Sequence, residues 1–224
     1  MKNKITYYNC HTHRKPQSEN EFCIRNAFLN TTAANNCNYT ISNGLHPWFA
    51  NNYSSSEIEN ILTNLAKLPK NLAIGEIGLD KMKPHFEKQM TVFLQQLEIA
   101  EKFKKPLIIH QVKAYEEILP LLRSYKGKVV LHGFQGNAQQ WEQLNKNGNV
   151  YVSFGAAILG ENEKTKQTLN AIPLSYLLAE TDNAPLKIDR IYNTIAAIKQ
   201  IPILELAQQI ELNFRGVFGS NLNA

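Results

Sequence analysis

Eight short apolar runs recur along the chain of 224 residues, and helical periodicity or a short loop separates each run from the next. The runs cover residues 5–10, 21–29, 39–45, 72–76, 107–110, 128–132, 149–154 and 175–182. Strand-like runs that alternate with helical segments predict a parallel sheet. Eight strands are the number that a closed barrel of this kind requires. The sequence therefore predicts an α/β fold, a TIM-type (β/α)8 barrel.

Helix signals lie between several of these runs. From Phe86 onwards apolar residues recur at intervals of three and four, which is typical of an amphipathic helix, and Pro106 ends the segment. Ser54 offers N-cap chemistry for an earlier helix. Residues 191–218 predict one or two further helices on the outside of the barrel, with a break near Pro202.

The connection between the first two runs is different. Residues 14–20 are polar and contain Pro16, which leaves little room for a helix. Parallel neighbours are usually joined by a dozen or more residues. We therefore expect a slightly distorted barrel with a shortened or missing first crossover helix.

Composition limits the class of protein. The chain is 43% hydrophobic and 19% charged, as folded globular proteins are, and single barrels reach this size, so we expect one domain over residues 1–224. No apolar run approaches the roughly 18 residues of a membrane span. Residues 1–8 lack the apolar core and cleavage site of a secretory signal. We expect a cytoplasmic protein that does not bind membranes.

Cysteine and charge content narrow the chemistry further. Cys10, Cys23 and Cys37 are odd in number and lack Cys-x-x-Cys spacing, which argues against a disulfide framework and a cysteine-only zinc site. The formal net charge of +5 favours encounter with an anionic substrate. No feature indicates an obligate protein partner.

Potential metal ligands lie at the ends of the predicted strands. If the first run is a strand, its side chains alternate, so His11 and His13 point to the same face. In a (β/α)8 barrel the carboxyl ends of the strands converge on one mouth. The candidate ligands are His11, His13, Glu76, His110, His132 and Asp182. This pattern predicts a metal centre, and mixed imidazole and carboxylate ligands leave zinc, manganese, nickel and magnesium open.

Six motifs in this order carry a family resemblance. They are His11-Thr12-His13, Gly44-Leu45-His46-Pro47, Gly75-Glu76-Ile77-Gly78-Leu79-Asp80, Pro106-Leu107-Ile108-Ile109-His110, His132-Gly133-Phe134-Gln135-Gly136 and Glu180-Thr181-Asp182-Asn183-Ala184-Pro185. From about residue 9 to 218 the chain resembles the TatD-type metal-dependent deoxyribonucleases of the amidohydrolase-like superfamily.

The resemblance implies two divalent metal ions (zinc, manganese, magnesium or similar). One would be held by His11, His13, Glu76 and Asp182, and the other by Glu76, His110 and His132, so that Glu76 bridges them. Two such ions activate water and clamp a phosphodiester. Asp182 and Glu76 would be the catalytic residues, and Asp182 is well placed to take the proton of the water.

The resemblance also implies a substrate, DNA in single strands or at strand ends. After residue 185 it predicts an arginine- and asparagine-rich loop for substrate phosphate, whereas this chain has a shorter loop in which Lys187 or Arg190 would substitute. His46 is a candidate for substrate contact, for support of a ligand, or for capping its own loop.

Three further side chains are open to two interpretations. Asp80 would orient a metal-binding histidine or serve as a plain loop carboxylate. Trp48 and Phe134 offer surfaces on which a base can stack, but we expect both to be packed in loops.

Two other functions stay open at this point. Related barrels hydrolyse amides, esters or lactones in small molecules, and a fold does not determine the substrate. A non-enzymatic nucleic-acid-binding module, with histidines that merely pack, is the other alternative.

Overall fold

Strands and helices alternate along the computed structural model, which describes residues 5–30, 32, 34 and 39–219. The strands are β1 (Tyr7–Thr12), β2 (Glu21–Asn26), β3 (Thr40–Asn43), β4 (Asn71–Asp80), β5 (Leu107–Val112), β6 (Val129–Leu131), β7 (Val150–Phe154) and β8 (Leu177–Ala179). The helices are α1 (Ser55–Ala66), α2 (Phe86–Phe103), α3 (Tyr115–Ser124), α4 (Ala138–Leu144), α5 (Glu163–Ala171), α6 (Ile188–Lys199) and α7 (Ile203–Phe218). Short 3-10 turns occupy Pro47–Phe49, Asn145–Asn147, Ala156–Leu159 and Leu174–Tyr176.

All eight strands pair in parallel and in sequence order, from β1 to β8. The sheet closes on itself where Thr12 forms a parallel bridge with Asp182, just beyond β8. The His13 amide donates to the Asp182 carbonyl at 3.0 Å, and the Asp182 amide donates to the His11 carbonyl at 3.1 Å. The predicted (β/α)8 barrel is confirmed.

The first crossover holds no helix, as the sequence predicts, because residues 13–20 form only bends and turns. The Glu21 carboxylate organises this connection. It accepts hydrogen bonds from the Gln17 amide and from Asn9 Nδ2, both at 2.7 Å. Hydrogen bonds to one carboxylate thus hold this connection in place of a crossover helix.

The sequence signals place most of the helices. Ser54 caps α1 in a capping box with Glu57. One face of α2 is buried against the barrel, and Lys104 ends the helix in the left-handed conformation before Pro106. Residues 191–218 lie in the two helices α6 and α7, with Pro202 as the N-cap of α7. Helix α5 carries too few apolar residues for its sequence to predict it.

The C-terminal helices hold the closing strands from outside. Tyr192 on α6 accepts from the Tyr8 amide and donates to the Tyr8 carbonyl, both at 2.9 Å. On α7, Asn213 Nδ2 donates to the carbonyl of Leu177 at 2.7 Å. These buried contacts fasten both sides of the seam that lies beneath His11.

The last two expectations concern the cysteines and membrane-spanning helices. Cys10 and Cys23 are buried, as expected, whereas Cys37 lies outside the described residues. None of the helices that the structure describes combines the length and the apolar character needed to cross a membrane.

Candidate metal centre

The six predicted ligands all lie at the carboxyl-terminal mouth of the barrel. They are His11, His13, Glu76, His110, His132 and Asp182. Their nitrogen and oxygen atoms form groups, such as His11, His13 and Asp182, whose members lie within 4.8 Å of one another. Ligand roles stay a prediction, but the structure brings every candidate to one place.

The Glu76 carboxylate lies at the middle of this group. Its Oε1 atom is 2.8 Å from His132 Nε2, 3.0 Å from His110 Nδ1 and 3.2 Å from His46 Nε2. The side chain is only 4% exposed. A carboxylate this buried requires cationic or hydrogen-bonding partners on every side.

The second oxygen of Glu76 faces a different set of imidazoles. Its Oε2 atom is 3.4 Å from His11 Nε2 and 3.5 Å from His13 Nε2. Asp182 Oδ1 adds a second anion, 3.2 Å from His13 Nε2 and 3.7 Å from His11 Nε2. Glu76 therefore stands between a group of three imidazoles at Oε1 and the pair His11 and His13 at Oε2, which it shares with Asp182.

Local irregularity in β4 brings Glu76 and His110 together. The pairing of β4 with β5 shifts register between Gly75 and Ile77, where Glu76 is the extra residue, and such bulges redirect side chains near active sites. Gly78 follows at φ 146°, and a Cβ atom there would overlap the His110 carbonyl. Glycine is required here because the two strands approach too closely for any side chain.

Asp182 has a fixed backbone conformation and a partly exposed side chain. Its φ is 49°, in the left-handed region that few residues other than glycine adopt. The two hydrogen bonds with His11 and His13 across the seam fix that conformation. Its side chain is 47% exposed, against 4% for Glu76, so solvent reaches Asp182 but hardly reaches Glu76.

A carboxylate lies behind His110 on the side away from Glu76. Asp80 Oδ2 is 3.5 Å from His110 Nε2 and accepts a 2.7 Å hydrogen bond from Trp48 Nε1. The Met82 amide donates to Asp80 Oδ1 at 2.8 Å. Asp80 is thus a buried, hydrogen-bonded partner that favours coordination of a metal through Nδ1 of His110.

A second buried carboxylate lies behind His132. Glu180 Oε1 is 3.4 Å from His132 Nδ1, and its Oε2 atom forms a short hydrogen bond with the Ser153 hydroxyl. Glu180 is 2% exposed. The sequence motif contains Glu180, but only the structure places its side chain against the histidine.

His46 has its two ring nitrogens in different environments. The Trp48 amide donates to His46 Nδ1 at 3.2 Å, so in the neutral ring the proton lies on Nε2, 3.2 Å from Glu76 Oε1. Burial lowers the pKa of His46, which favours this neutral form. His46 is arranged to donate a hydrogen bond to Glu76 while capping its loop, and its contact with substrate stays a prediction.

The charges at the site depend on one another. Burial opposes ionisation of Glu76, but the charge of His132 and close contacts with His11, His110 and His13 hold the Glu76 pKa well below its usual range. Burial also opposes protonation of His13, yet Asp182 and Glu76 raise its pKa to about 9. Glu76 and Glu180 likewise raise the pKa of His132. Without metal, protons on these histidines balance the carboxylates.

The donor atoms fit divalent metal ions. Both ring nitrogens of the fully buried His11 lack a hydrogen-bond partner, which is costly unless another ligand satisfies them. Imidazole nitrogens and carboxylate oxygens are the ligands that zinc, manganese and related ions prefer. The residues present therefore fit such an ion at His11, and a metal would replace the protons on its neighbours.

The mouth opens into a cavity of about 290 Å³. Its lining combines the predicted ligands with aromatic residues: His13, Phe28, His46, Trp48, Phe49, Glu76, His110, His132, Asp182 and Asn183. Phe134 is buried, as expected for packing, but Trp48 is 52% exposed. The expectation that Trp48 is packed in a loop is wrong for this exposed half of the residue. The rest is held by a hydrogen bond from the indole nitrogen to Asp80 and by contact of the ring with His46.

Basic residues near the mouth differ from those predicted. Lys187 and Arg190 lie at the start of α6 and are exposed, and Arg190 lines a separate groove rather than the metal cavity. Arg14 lies closer, since its Nε atom donates to the carbonyl of Asn183 at 3.0 Å. Lys83 Nζ lies 4.2 Å from the centre of the Trp48 ring. Sequence reasoning missed Arg14 and Lys83, although Arg14 directly follows His13.

Known proteins with similar sequences share this architecture. An uncharacterised metal-dependent hydrolase from Escherichia coli, YjjV, is 28% identical over 193 residues, which cover 78% of this chain and 74% of YjjV. A protein from Erwinia tasmaniensis named 3'-5' ssDNA/RNA exonuclease TatD is 29% identical over 199 residues, which cover 78% of this chain and 76% of the relative. The crystal structure of YjjV, a TatD homologue, superposes with a TM-score of 0.82 at 24% identity and covers 98% of this chain and 100% of its own.

The family comparison matches most of the chain. The model described as "TatD related DNase" matches residues 25–219, a range that holds Glu76, His110, His132 and Asp182. The chain belongs to the TatD related DNase family.

Proposed function

We propose that this chain is a metal-dependent phosphodiesterase that hydrolyses nucleic acid, and DNA in single strands or at strand ends in particular. The single observation that carries the proposal is the Glu76 carboxylate, whose two oxygens face separate groups of imidazoles within 3.5 Å. Family membership and the relatives named as exonucleases support a nucleic-acid substrate.

We propose two divalent ions as cofactors. His11, His13 and Asp182 would hold one ion, His110 and His132 would hold the other, and Glu76 would be shared between them. When bound, such ions polarise a phosphodiester and make a water molecule acidic enough to react near neutral pH. The identity of the metal is not part of the proposal, because these ligands suit several ions.

The residues divide the remaining work. Asp182, half exposed beside His13, accepts the proton of the attacking water as the new P–O bond forms and the bond to the leaving oxygen breaks. Glu76 stays buried and ionised, so its role is to hold the centre together. His46 orients Glu76 through Nε2. Burial and the ordered hydrogen bonds around these groups keep them in place before substrate arrives.

Cations around the mouth supply attraction for the strand. Arg14 and Lys83 lie at the cavity rim, where they can contact phosphates next to the scissile bond. Lys187 and Arg190, as the sequence predicts, would contact phosphates farther along the strand. The formal net charge of +5 acts in the same direction.

The test is release of nucleotides from end-labelled single-stranded DNA and RNA oligonucleotides. We expect cleavage when manganese or magnesium is added and none when EDTA is present. The same protein is assayed on a panel of esters, lactones and amides, and its bound metal is measured by elemental analysis.

Three results would overturn the proposal. Turnover of an ester, lactone or amide without cleavage of either nucleic acid would indicate a small-molecule hydrolase. Tight oligonucleotide binding by a protein that takes up no metal would indicate a binding module. Cleavage that EDTA does not affect would remove the metal from the reaction.

A further inference from the structure

Exposed aromatic side chains are concentrated at one place on this protein. Among the phenylalanine, tyrosine and tryptophan residues that the structure describes, three are exposed, Phe28 at 37%, Phe49 at 42% and Trp48 at 52%. All three line the cavity that contains Glu76. Large aromatic rings normally contribute to stability by burial, so a cluster left open beside a reactive centre indicates a binding surface.

The three rings form a curved wall along the mouth of the metal centre. The Phe28 ring centre lies 5.3 Å from that of His13 and 6.3 Å from that of Phe49. At the other end, the Trp48 ring centre lies 5.0 Å from that of His46. The wall thus runs from one group of metal-site histidines to the other, and a molecule bound there would touch the reactive centre.

Phe28 is held in an unfavourable backbone conformation. Its φ is 50°, in the left-handed region that is strained for a residue with a Cβ atom. Two buried side chains impose it, because the Phe28 amide donates to Asn26 Oδ1 at 3.0 Å and its carbonyl accepts from Asn43 Nδ2 at 2.7 Å. In this conformation the Phe28 ring lies against that of His13.

Trp48 is also fixed. Its indole N–H donates to Asp80 at 2.7 Å, which orients the ring while 52% of the residue stays exposed. Lys83 lies over the ring at 4.2 Å, so a cation accompanies the aromatic surface. Flat ring faces next to positive charge are the features that bind unpaired bases and their phosphates.

We propose that Phe28, Trp48 and Phe49 form a stacking site for the unpaired bases of a single strand whose scissile phosphate lies at Glu76 and Asp182. The proposal rests on the proposed function and adds how the strand is held. Stacking uses the face of a base, which every base has, and not its hydrogen-bonding edge. Binding at this site is therefore independent of sequence and requires strands that are not paired.

The first measurement is binding by the metal-loaded protein. The probes are a phosphorothioate-linked tetrathymidylate and the same backbone with base-free sugars. Because Trp141 is buried and Trp48 is exposed, quenching of tryptophan fluorescence reports contact with Trp48. We expect the base-containing probe to quench and to bind about tenfold more tightly than the base-free one.

The second measurement compares the binding of both probes to protein variants. Phe28→Leu and Phe49→Leu keep an apolar side chain but remove the ring. Each is expected to weaken binding of the base-containing probe about tenfold and to leave binding of the base-free probe unchanged. Leu212→Ala, at an exposed residue of α7 (64%), is the matched control and should change neither. Metal content measured in each variant verifies that the centre is intact.

The outcomes separate this proposal from the proposed function. Equal affinity of the unaltered protein for the two probes would overturn the stacking site even if the protein is a nuclease. An equal loss of affinity for both probes in the leucine variants would do the same. Base-dependent binding that the leucine variants abolish would support the site even if no phosphodiester is cleaved. Quenching by simple aromatic esters at lower concentrations than by the tetranucleotide would assign the rings to a small-molecule substrate.

Discussion

At the scale of single residues, the two carboxylates of the centre are distinguished by access to solvent. Glu76 is surrounded by imidazoles and is 4% exposed, whereas the Asp182 side chain is 47% exposed and has fewer partners. A group that must receive a proton and pass it to solvent needs access. A carboxylate proposed to hold the centre together gains from burial, because water then screens its attraction to the histidines less. The sequence predicts both residues as catalytic. Only their different burial in the structure indicates which of them can exchange a proton with solvent.

Replacement of the proposed base tests this division. Asp182→Asn keeps the shape but cannot accept the proton, so we expect the rate of nucleotide release at saturating metal to fall by about 10²–10⁴. Asp189→Asn, which removes a carboxylate from α6 instead, is the control and should keep its rate. A loss below tenfold, with metal content verified, would assign proton transfer to another group.

A second prediction concerns Glu180, which contacts no proposed substrate atom but lies against His132. Glu180→Gln keeps the volume and removes the charge that orients His132 Nδ1–H. Loss of such a partner typically weakens metal binding 10- to 100-fold. Competition with a chromogenic chelator gives the affinity directly. Glu163→Gln, at an exposed position on α5, should bind metal like the unaltered protein, and an unchanged affinity in Glu180→Gln would show that Glu180 is merely structural.

At the scale of the elements, strand irregularity determines where the ligands meet. Gly78 lets β4 lie against the His110 carbonyl, and the bulge beside it turns Glu76 inward. In a regular strand the side chains alternate between the two faces of the sheet, so neighbouring residues point in opposite directions. The position of Glu76 therefore depends on a neighbouring residue that supplies no ligand atom itself.

Substitution of Gly78 tests this dependence. Gly78→Ala introduces a Cβ that overlaps a backbone carbonyl at φ 146°, so we expect a loss of more than about 2 kcal/mol in the free energy of unfolding. Gly160→Ala is the matched control, because its Cβ would meet nothing closer than 3.7 Å. Denaturant titration measures both. A Gly78→Ala protein as stable as the control would contradict the close approach of the strands.

The sequence predicts elements better than it predicts exposure. Strands that end in histidine or a carboxylate residue can be recognised in the sequence from residue type and spacing. The missing first crossover helix is predicted from Pro16 and its polar neighbours. Helix α5 is missed because Leu169 is its one fully buried apolar residue. Trp48 and Phe134 look alike in sequence, yet one is exposed and the other buried. That difference depends on which surface each loop meets, and no local pattern contains it.

At the scale of the whole molecule, the metal centre lies on the seam that closes the barrel. β1 and the segment after β8 are bridged at Thr12 and Asp182, and Tyr192 holds the back of β1. Ligands from both chain segments therefore meet only in the closed barrel. A metal ion bound to His11, His13 and Asp182 would cross-link the seam, because binding to the folded state alone raises stability.

The pH dependence of stability follows from the same arrangement. The pKa of His13 is about 9 in the metal-free fold, against about 6.5 in an unfolded chain, so its proton stabilises the fold below pH 6.5 and this contribution is lost as pH rises through 9. His132 acts in the same direction. The lowered pKa values of Glu76 and Asp182 matter only in acid. We therefore expect the midpoint of thermal unfolding in EDTA to fall between pH 6.5 and 9.

Metal should reverse this trend. A divalent ion competes with the protons on His13, so its affinity, and with it the stabilisation it gives, grows as pH rises. Thermal unfolding with one to two equivalents of zinc, compared with EDTA at each pH, measures that stabilisation as a difference. His13→Asn is the control, in which the metal-free slope should become shallower because one of the two titrating histidines is gone while His132 remains. A metal-induced gain that stays constant from pH 6.5 to 9 would mean that the ion does not displace the protons of these histidines and would place its ligands elsewhere in the chain.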